Sequence, residues 1–100
     1  MYQLLQGTRA LDLTDERGYL CGFMLSQLGV EVIKVERPGG DPGRKLPPFY
    51  HDSPEPEKSL FWFAYNLNKK GITLGIEKTE GKEIFKKLLV TIQHNLFSVL

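Results

Sequence analysis

Cysteine and long apolar runs are scarce in this 100-residue sequence. Its single cysteine, Cys21, cannot form an internal disulfide or a metal site by itself, so we expect it to be a small core residue in a reducing compartment. No apolar run approaches the roughly 20 residues that a membrane-spanning helix requires. Residues 1–10 have neither the basic start nor the apolar core of a secretory signal. These absences predict a cytoplasmic protein with no membrane partner.

An excess of one charge is also lacking. The 13 Lys+Arg residues oppose 12 Asp+Glu residues, and the formal net charge is +1. Such a balance gives no global reason to expect nucleic acid or an anionic membrane surface as a partner. Any site for an anion must therefore be local.

Known catalytic motifs are missing as well. The sequence contains no nucleophile elbow, no P-loop lysine motif and no recognisable pair of catalytic carboxylates. His51 and His94 have no Cys, Asp or Glu at metal-ligand spacing on one face of a regular element, so we expect two surface histidines and no metal site. The residues by themselves identify no catalytic group.

The first third of the sequence has the pattern of a strand, a helix and a second strand. Residues 8–13 predict a short buried strand, and residues 19–28 place apolar side chains at helical spacing. Residues 30–36 are rich in β-branched side chains and end at a Pro-Gly-Gly turn. A crossover of this kind is right-handed and joins parallel strands. The predicted class is α/β, in one domain.

The rest of the sequence repeats the strand-then-helix pattern after a long interruption. Residues 37–57 contain all six prolines and predict a long surface loop. The aromatic residues of segment 59–65 are expected to pack in the core. Residues 71–76 alternate in polarity and predict a half-buried strand, and a helix with an apolar stripe is expected from Thr79 onward.

The carboxyl end of the second predicted strand carries the most suggestive polar segment. Arg37 and Arg44 flank a glycine-rich turn whose backbone N–H groups could bind a phosphate. The alternative is a solvated loop in which these arginines pair with Glu36 and Asp41, and spacing alone slightly favours this alternative.

A second polar segment precedes the third predicted strand. Asn66 and Asn68 are typical of a structural turn. Lys69 and Lys70 could add positive potential at the same end of the sheet, although a solubilising role is more common for such a pair.

Dinucleotide binding is weakly supported. Glu36 follows the second strand much as a ribose-binding acid would. However, the first strand–helix turn offers only Gly18 and Gly22 instead of the G-x-G-x-x-G fingerprint, so close approach of a pyrophosphate to that turn is not predicted.

Taken together, four stretches of the sequence resemble the start of the class III CoA-transferases in order and spacing. They are LQGTRALDLT (residues 5–14), LGVEVIKVERPGGDP (residues 28–42), NKKGITL (residues 68–74) and TEGKEIF (residues 79–85). The family also includes carnitine CoA-transferase, formyl-CoA transferase and α-methylacyl-CoA racemase. The resemblance implies that residues 1–100 are the incomplete amino-terminal part of a Rossmann-like large domain, with residues 1–90 family-like and residues 91–100 a divergent tail.

The resemblance also implies a set of binding residues for coenzyme A, which would enter as an acyl-CoA substrate. Arg37 matches an arginine that contacts the nucleotide, and Leu74 matches an adenine-side contact. Arg17 is the nearest match to a polar residue at the first strand–helix turn. The family's lysine after the third strand corresponds to Glu77, with Lys78 adjacent.

For the intact relative, the resemblance implies transfer of CoA between an acyl-CoA and a carboxylic acid by an interlocked homodimer. The family's catalytic aspartate lies downstream, so we expect no catalytic residue in this chain and no activity from it alone; a truncated or frameshifted product is our hypothesis. One alternative is a non-catalytic remnant that binds CoA or another protein. Within the family, acyl-CoA racemase chemistry stays open.

Overall fold

The computed structural model describes residues 7–92, which form a three-stranded parallel sheet with helices on both faces. The strands lie in the order β1-β2-β3, so β2 is central. In chain order the elements are β1 (Arg9–Asp12), α1 (Tyr19–Gln27), β2 (Glu31–Glu36), α2 (Leu60–Asn66), β3 (Lys70–Thr73) and α3 (Thr79–Ile92). The predicted α/β class, with a parallel βαβ start, is confirmed.

The sheet register brings the carboxyl ends of the strands to one edge. Ala10 is paired with Val32 across β1 and β2, and Lys34 is paired with Gly71 across β2 and β3, both in parallel register. Residues that directly follow the strands therefore meet at the same end of the sheet. In open parallel sheets ligands bind at this end.

Helices α1 and α3 cover opposite faces of the sheet. On one face, Leu25 of α1 packs against the buried residues Ala10, Val30 and Val32. The other face has a core of Leu11, Ile33 and Ile92, and the partly buried apolar residues packed against it are Leu13, Ile72, Phe85, Leu88 and Leu89. Apolar side chains thus pack on both faces of the sheet, as is typical of parallel sheets.

The segment between β2 and α2 is more ordered than the predicted surface loop. It contains three short 3₁₀ turns: Pro42–Lys45, Tyr50–Asp52 and Pro56–Lys58. The Ser59 hydroxyl is fully buried; it donates to the Leu46 carbonyl at 2.7 Å and accepts from the Trp62 backbone N–H at 3.1 Å. This hydroxyl caps α2 and ties the first 3₁₀ turn to it.

Several predicted positions need correction. Cys21 is exposed and not in the core, because the side of α1 that faces the sheet is the one that carries Gly22 and Leu25. Among the aromatic residues expected to pack, Trp62 is buried but Phe63 is 46% exposed. The third strand ends at Thr73, and the chain turns at Gly75 before α3, so the strand predicted to reach residue 76 was too long.

The predicted histidine positions have different outcomes. His51 is exposed, as predicted, whereas His94 lies outside the described residues. Within residues 7–92, no group of three or more His, Cys, Asp or Glu side chains could hold a metal ion. No helix in the same range is long and apolar enough to cross a membrane.

Candidate functional site

A buried polar network lies where β1 and β2 end. The Asp12 carboxylate, at the end of β1, accepts hydrogen bonds from the Thr14 backbone N–H at 2.9 Å and from the Lys69 ammonium at 2.7 Å. Its remaining charge partner is Lys34 of β2, whose Nζ lies 3.6 Å from Oδ1 of Asp12 and 3.5 Å from Oδ2 of Asp41. Two carboxylates and two ammonium groups thus balance one another inside the fold, as buried charges must.

The network also fixes α1. The Tyr19 hydroxyl donates a hydrogen bond to Asp41, and the Lys69 ammonium donates to the Tyr19 carbonyl at 3.1 Å. Burial, with the Asp41 carboxylate beside it, raises the pKa of Tyr19. Burial alone would raise the pKa of Asp12 as well, but the hydrogen bonds from Lys69 and Thr14 outweigh burial and lower it. Asp12 is therefore a structural anion at neutral pH.

Sequence reasoning missed this network. The sequence predicts for Lys69 either positive potential at this end of the sheet or a solubilising surface role, but its side chain is 1% exposed because it reaches back beneath α1 to Asp12. The neighbouring Lys70 does point outward, where it pairs with Glu31 at 2.7 Å. One signal was present in the sequence: Lys34 stands between the β-branched residues Ile33 and Val35 of the second strand, and a lysine buried there needs carboxylate partners.

A second ion pair holds the glycine-rich turn after β2. The Arg44 guanidinium donates to both oxygens of the Glu36 carboxylate, through Nε at 2.7 Å and Nη2 at 2.8 Å, while stacking 4.2 Å from the Trp62 ring centroid. The Asp41 backbone N–H donates to the same carboxylate at 2.9 Å. The predicted pairing of the turn's arginines with acids is confirmed for Arg44. Glu36 is turned inward and has no free oxygen to offer a ribose, which removes the remaining argument for a dinucleotide site.

Arg37 differs from Arg44 in exposure and in ion pairing. The turn reverses at Gly39 and Gly40, whose φ angles of 94° and 96° favour glycine. This reversal leaves the Arg37 side chain exposed, and no ion pair joins it to another residue in the range 7–92. Its guanidinium donors are therefore available to a ligand.

Arg37 opens onto a surface groove formed with the turn between β3 and α3. One part of this groove has a volume of about 360 Å³. It is lined by Arg37, Pro38, Leu74, Gly75, Ile76, Glu77 and Lys78. The adjoining part, of about 550 Å³, shares Pro38, Leu74, Gly75 and Lys78 with it and extends along the first turns of α3 to Ile84.

Close packing shapes the floor of this groove. The Leu74 backbone N–H donates to the Glu36 carbonyl at 2.8 Å, which continues the β2–β3 pairing by one residue and leaves the Leu74 side chain 8% exposed. Gly75 lies against the Pro38 ring, since a Cβ there would be 3.4 Å from the proline Cγ. Gly81 of α3 rests directly on the Gly75 carbonyl.

The structure thus brings together three of the four predicted cofactor-binding residues. Arg37, Leu74 and Lys78 come from two separate segments and line the same groove. Arg17 is not among the lining residues; it is 85% exposed and its guanidinium pairs with Asp15 at 2.7 Å. That hydrogen bond lowers the pKa of Asp15 to about 2.

Comparison with known proteins identifies the family. The family model described as "CoA-transferase family III" matches residues 5–92 of this chain. The chain belongs to CoA-transferase family III. It is 38% identical over 80 residues to the succinyl-CoA:(R)-benzylsuccinate CoA-transferase subunit BbsE of Thauera aromatica, covering 80% of this chain and 20% of that one. It is 40% identical over 87 residues to the formyl-CoA:oxalate CoA-transferase of Escherichia coli, covering 85% and 20% respectively.

Solved structures of the family agree with this assignment. A CAIB/BAIF family protein from Brucella suis superimposes with a TM-score of 0.78 at 33% identity, covering 91% of this chain and 24% of that protein. The chain spans about a fifth of the length of the curated CoA-transferases that it matches. Only a part of the family III fold is therefore represented here.

Proposed function

We propose that this chain forms the part of a family III CoA-transferase that binds the nucleotide end of coenzyme A, in the groove between the β2 turn and the β3–α3 turn. The observation that carries the proposal is the convergence of Arg37, Leu74 and Lys78 on one groove. In the intact enzyme, the CoA would be transferred between an acyl-CoA and a carboxylic acid.

The groove has the chemistry that a phosphorylated purine nucleotide requires. Arg37 and Lys78 supply exposed cations, and the planar Arg37 guanidinium can donate two parallel hydrogen bonds to a phosphate. Leu74, Pro38 and Gly75 supply an apolar surface against which a purine ring can lie. The Glu36–Arg44 pair fixes the turn from the inner side, so Arg37 is presented by a rigid support.

A CoA titration of the full 100-residue chain, followed by calorimetry, tests this proposal. We expect saturable binding that is weakened about tenfold in Arg37→Ala, because a charge-assisted contact to phosphate contributes about 1.5 kcal/mol or more. Lys86→Ala is the matched control, since Lys86 is an exposed cation of α3 outside the groove. A linear response that is the same in both variants would contradict the proposal.

Arg17 is a separate candidate contact for CoA, because it does not line the groove. Its guanidinium is exposed and could leave Asp15 to meet a ligand phosphate. Arg17→Ala measured in the same titration decides this: weaker CoA binding supports a contact, and an unchanged dissociation constant restricts the site to the groove residues.

The chain alone is expected to lack transferase activity. By family resemblance, the aspartate that takes up the acyl group lies beyond residue 100, and covalent carboxylate catalysis needs that group. Incubation with succinyl-CoA or formyl-CoA and several carboxylic acids should therefore yield no new acyl-CoA by chromatography. Turnover above the buffer rate would show that a carboxylate of this chain can replace the missing one.

A second candidate function, protein association, is supported by exposed apolar side chains. Leu20 and Met24 of α1 are 54% and 58% exposed, and Leu67 after α2 is 60% exposed. Exposed apolar groups on neighbouring helices are typical of a face that another protein surface covers. Sedimentation should then show concentration-dependent association that Met24→Lys reduces, whereas a monomer at all concentrations would count against this function.

A further inference from the structure

Glu77 places a carboxylate in the groove that we propose to bind coenzyme A. It lines the 360 Å³ part of the groove together with Arg37 and Lys78. It also shares with Arg37 a smaller depression of about 160 Å³. Glu77 is exposed, and within residues 7–92 no ion pair joins it to a cation.

Two other acids near Arg37, Glu36 and Asp41, are neutralised inside the fold, and Glu80 lines only the adjoining part of the groove, which Arg37 does not line. The Glu36 carboxylate accepts hydrogen bonds from Nε and Nη2 of Arg44, and the Asp41 carboxylate lies 3.5 Å from the Lys34 ammonium. Their fields at the groove are largely cancelled by these partners. Glu77 has no such partner among the described residues, so its charge acts on whatever lies beside Arg37.

We infer that Glu77 is a specificity-determining residue that opposes a phosphate at the Arg37 end of the groove. This inference rests on the proposed function. Arg37 follows β2 and Glu77 follows β3, and both line the same end of the groove. A phosphate bound there is attracted by the Arg37 guanidinium and repelled by the Glu77 carboxylate. The preference for CoA over its 3′-dephospho form is therefore smaller than Arg37 alone would give.

Replacing the carboxylate by its neutral isostere measures this effect. Calorimetric titration of the full chain would compare CoA with 3′-dephospho-CoA, for the wild type and for Glu77→Gln. At low salt we expect Glu77→Gln to bind CoA about three- to tenfold more tightly, the range expected for one unscreened charge several ångströms from a phosphate at an exposed site. Binding of 3′-dephospho-CoA should change less than about twofold, and raising the salt concentration should reduce the gain for CoA.

Glu83→Gln is the matched control. It changes the net charge of the chain by the same amount, but Glu83 is on α3 and does not line the groove. If Glu83→Gln reproduces the effect, or if Glu77→Gln alters the binding of both nucleotides by the same factor, the specificity role is overturned while CoA binding by the groove stands. If neither nucleotide gives saturable binding to any of these proteins, the proposed function fails and this inference fails with it. Selective tightening for CoA in Glu77→Gln supports it.

Discussion

The guanidinium of Arg44 contacts both carboxylate oxygens of Glu36 across the turn that follows β2. The two side chains are 17% and 8% exposed, and the Trp62 ring covers the guanidinium face. The hydrogen bonds from Arg44 lower the pKa of Glu36. This pair makes Arg44 the structural arginine of the turn, because its guanidinium is bound to Glu36. Arg37 has no such partner among the described residues and faces solvent.

Breaking this pair from one side should be costly. Arg44→Met leaves the Glu36 carboxylate mostly buried without its cation, so we expect a loss of about 3 kcal/mol in the free energy of unfolding. Urea denaturation followed by tryptophan fluorescence measures the loss, since Trp62 lies in the contact. The double variant Arg44→Met/Glu36→Gln should recover part of it, because no buried charge is then left unpaired. A double variant less stable than Arg44→Met would contradict this account.

An exposed pair provides the comparison. Arg17 and Asp15 form a hydrogen-bonded ion pair at 2.7 Å, but the Arg17 side chain is mostly in solvent. Exposed pairs contribute little to stability. Arg17→Met should therefore leave the urea midpoint close to that of the wild type. A loss of unfolding free energy as large as that of Arg44→Met would mean that burial does not determine how much these ion pairs stabilise the fold.

The α/β class and the order of the main elements could be predicted because each depends on local pattern. The β-branched residues before a Pro-Gly-Gly turn predict β2, and the apolar spacing after Tyr19 predicts α1. The end of β3 could not be predicted from alternation. Leu74 and Ile76 continue the apolar alternation, but the chain turns between them, where the Lys78 backbone N–H donates to the Gly75 carbonyl at 3.0 Å.

The candidate site was predictable only where it consists of residues that follow strands. Arg37 and Leu74 follow β2 and β3, so parallel topology brings them together. The partners of Lys69 were not predictable, since its contact with Asp12 joins residues 57 positions apart through a side chain that passes under α1. The position of Cys21 depended on which side of an apolar helix meets the sheet, and α1 has apolar residues on more than one side.

Gly81 should be intolerant of any side chain. A Cβ at this position would overlap the Gly75 carbonyl oxygen and lie 2.5 Å from its carbonyl carbon, and backbone atoms cannot move aside as a side chain can. Alanine has the better helix propensity by about 1 kcal/mol, but we expect the overlap to dominate and Gly81→Ala to lose about 2 kcal/mol or more. Thermal denaturation followed by circular dichroism would show this loss.

Gly71 supplies the control for Gly81, because a Cβ at Gly71 would meet no atom within 4 Å and its φ is not positive. Gly71→Ala should therefore be neutral or slightly stabilising. Because Gly81 and Gly75 form the floor of the groove, Gly81→Ala should also weaken CoA binding, whereas Gly71→Ala should not. Equal melting temperatures for the two variants would show that α3 can shift away from Gly75 at little cost.

The stability of the fold should depend on pH in the acid range. The pKa values of Asp12, Glu31 and Glu36 are all lowered in the folded chain, by hydrogen bonds and charges that outweigh burial. The unfolded chain therefore binds more protons than the folded chain as pH falls below the ordinary carboxyl pKa of about 4. The contribution of these groups is present in full above that pH and is lost as pH falls through their lowered values.

Urea denaturation at a series of pH values tests this dependence. We expect an almost constant free energy of unfolding between about pH 7 and pH 5.5, and a progressive decrease below about pH 4.5. Arg44→Met should show a shallower decrease, because the Glu36 carboxylate then loses its main partner and its folded pKa rises. The same acid slope in Arg44→Met and in the wild type would mean that Glu36 does not contribute, and that the dependence comes from the other carboxylates whose pKa is lowered, Asp12, Asp15 and Glu31.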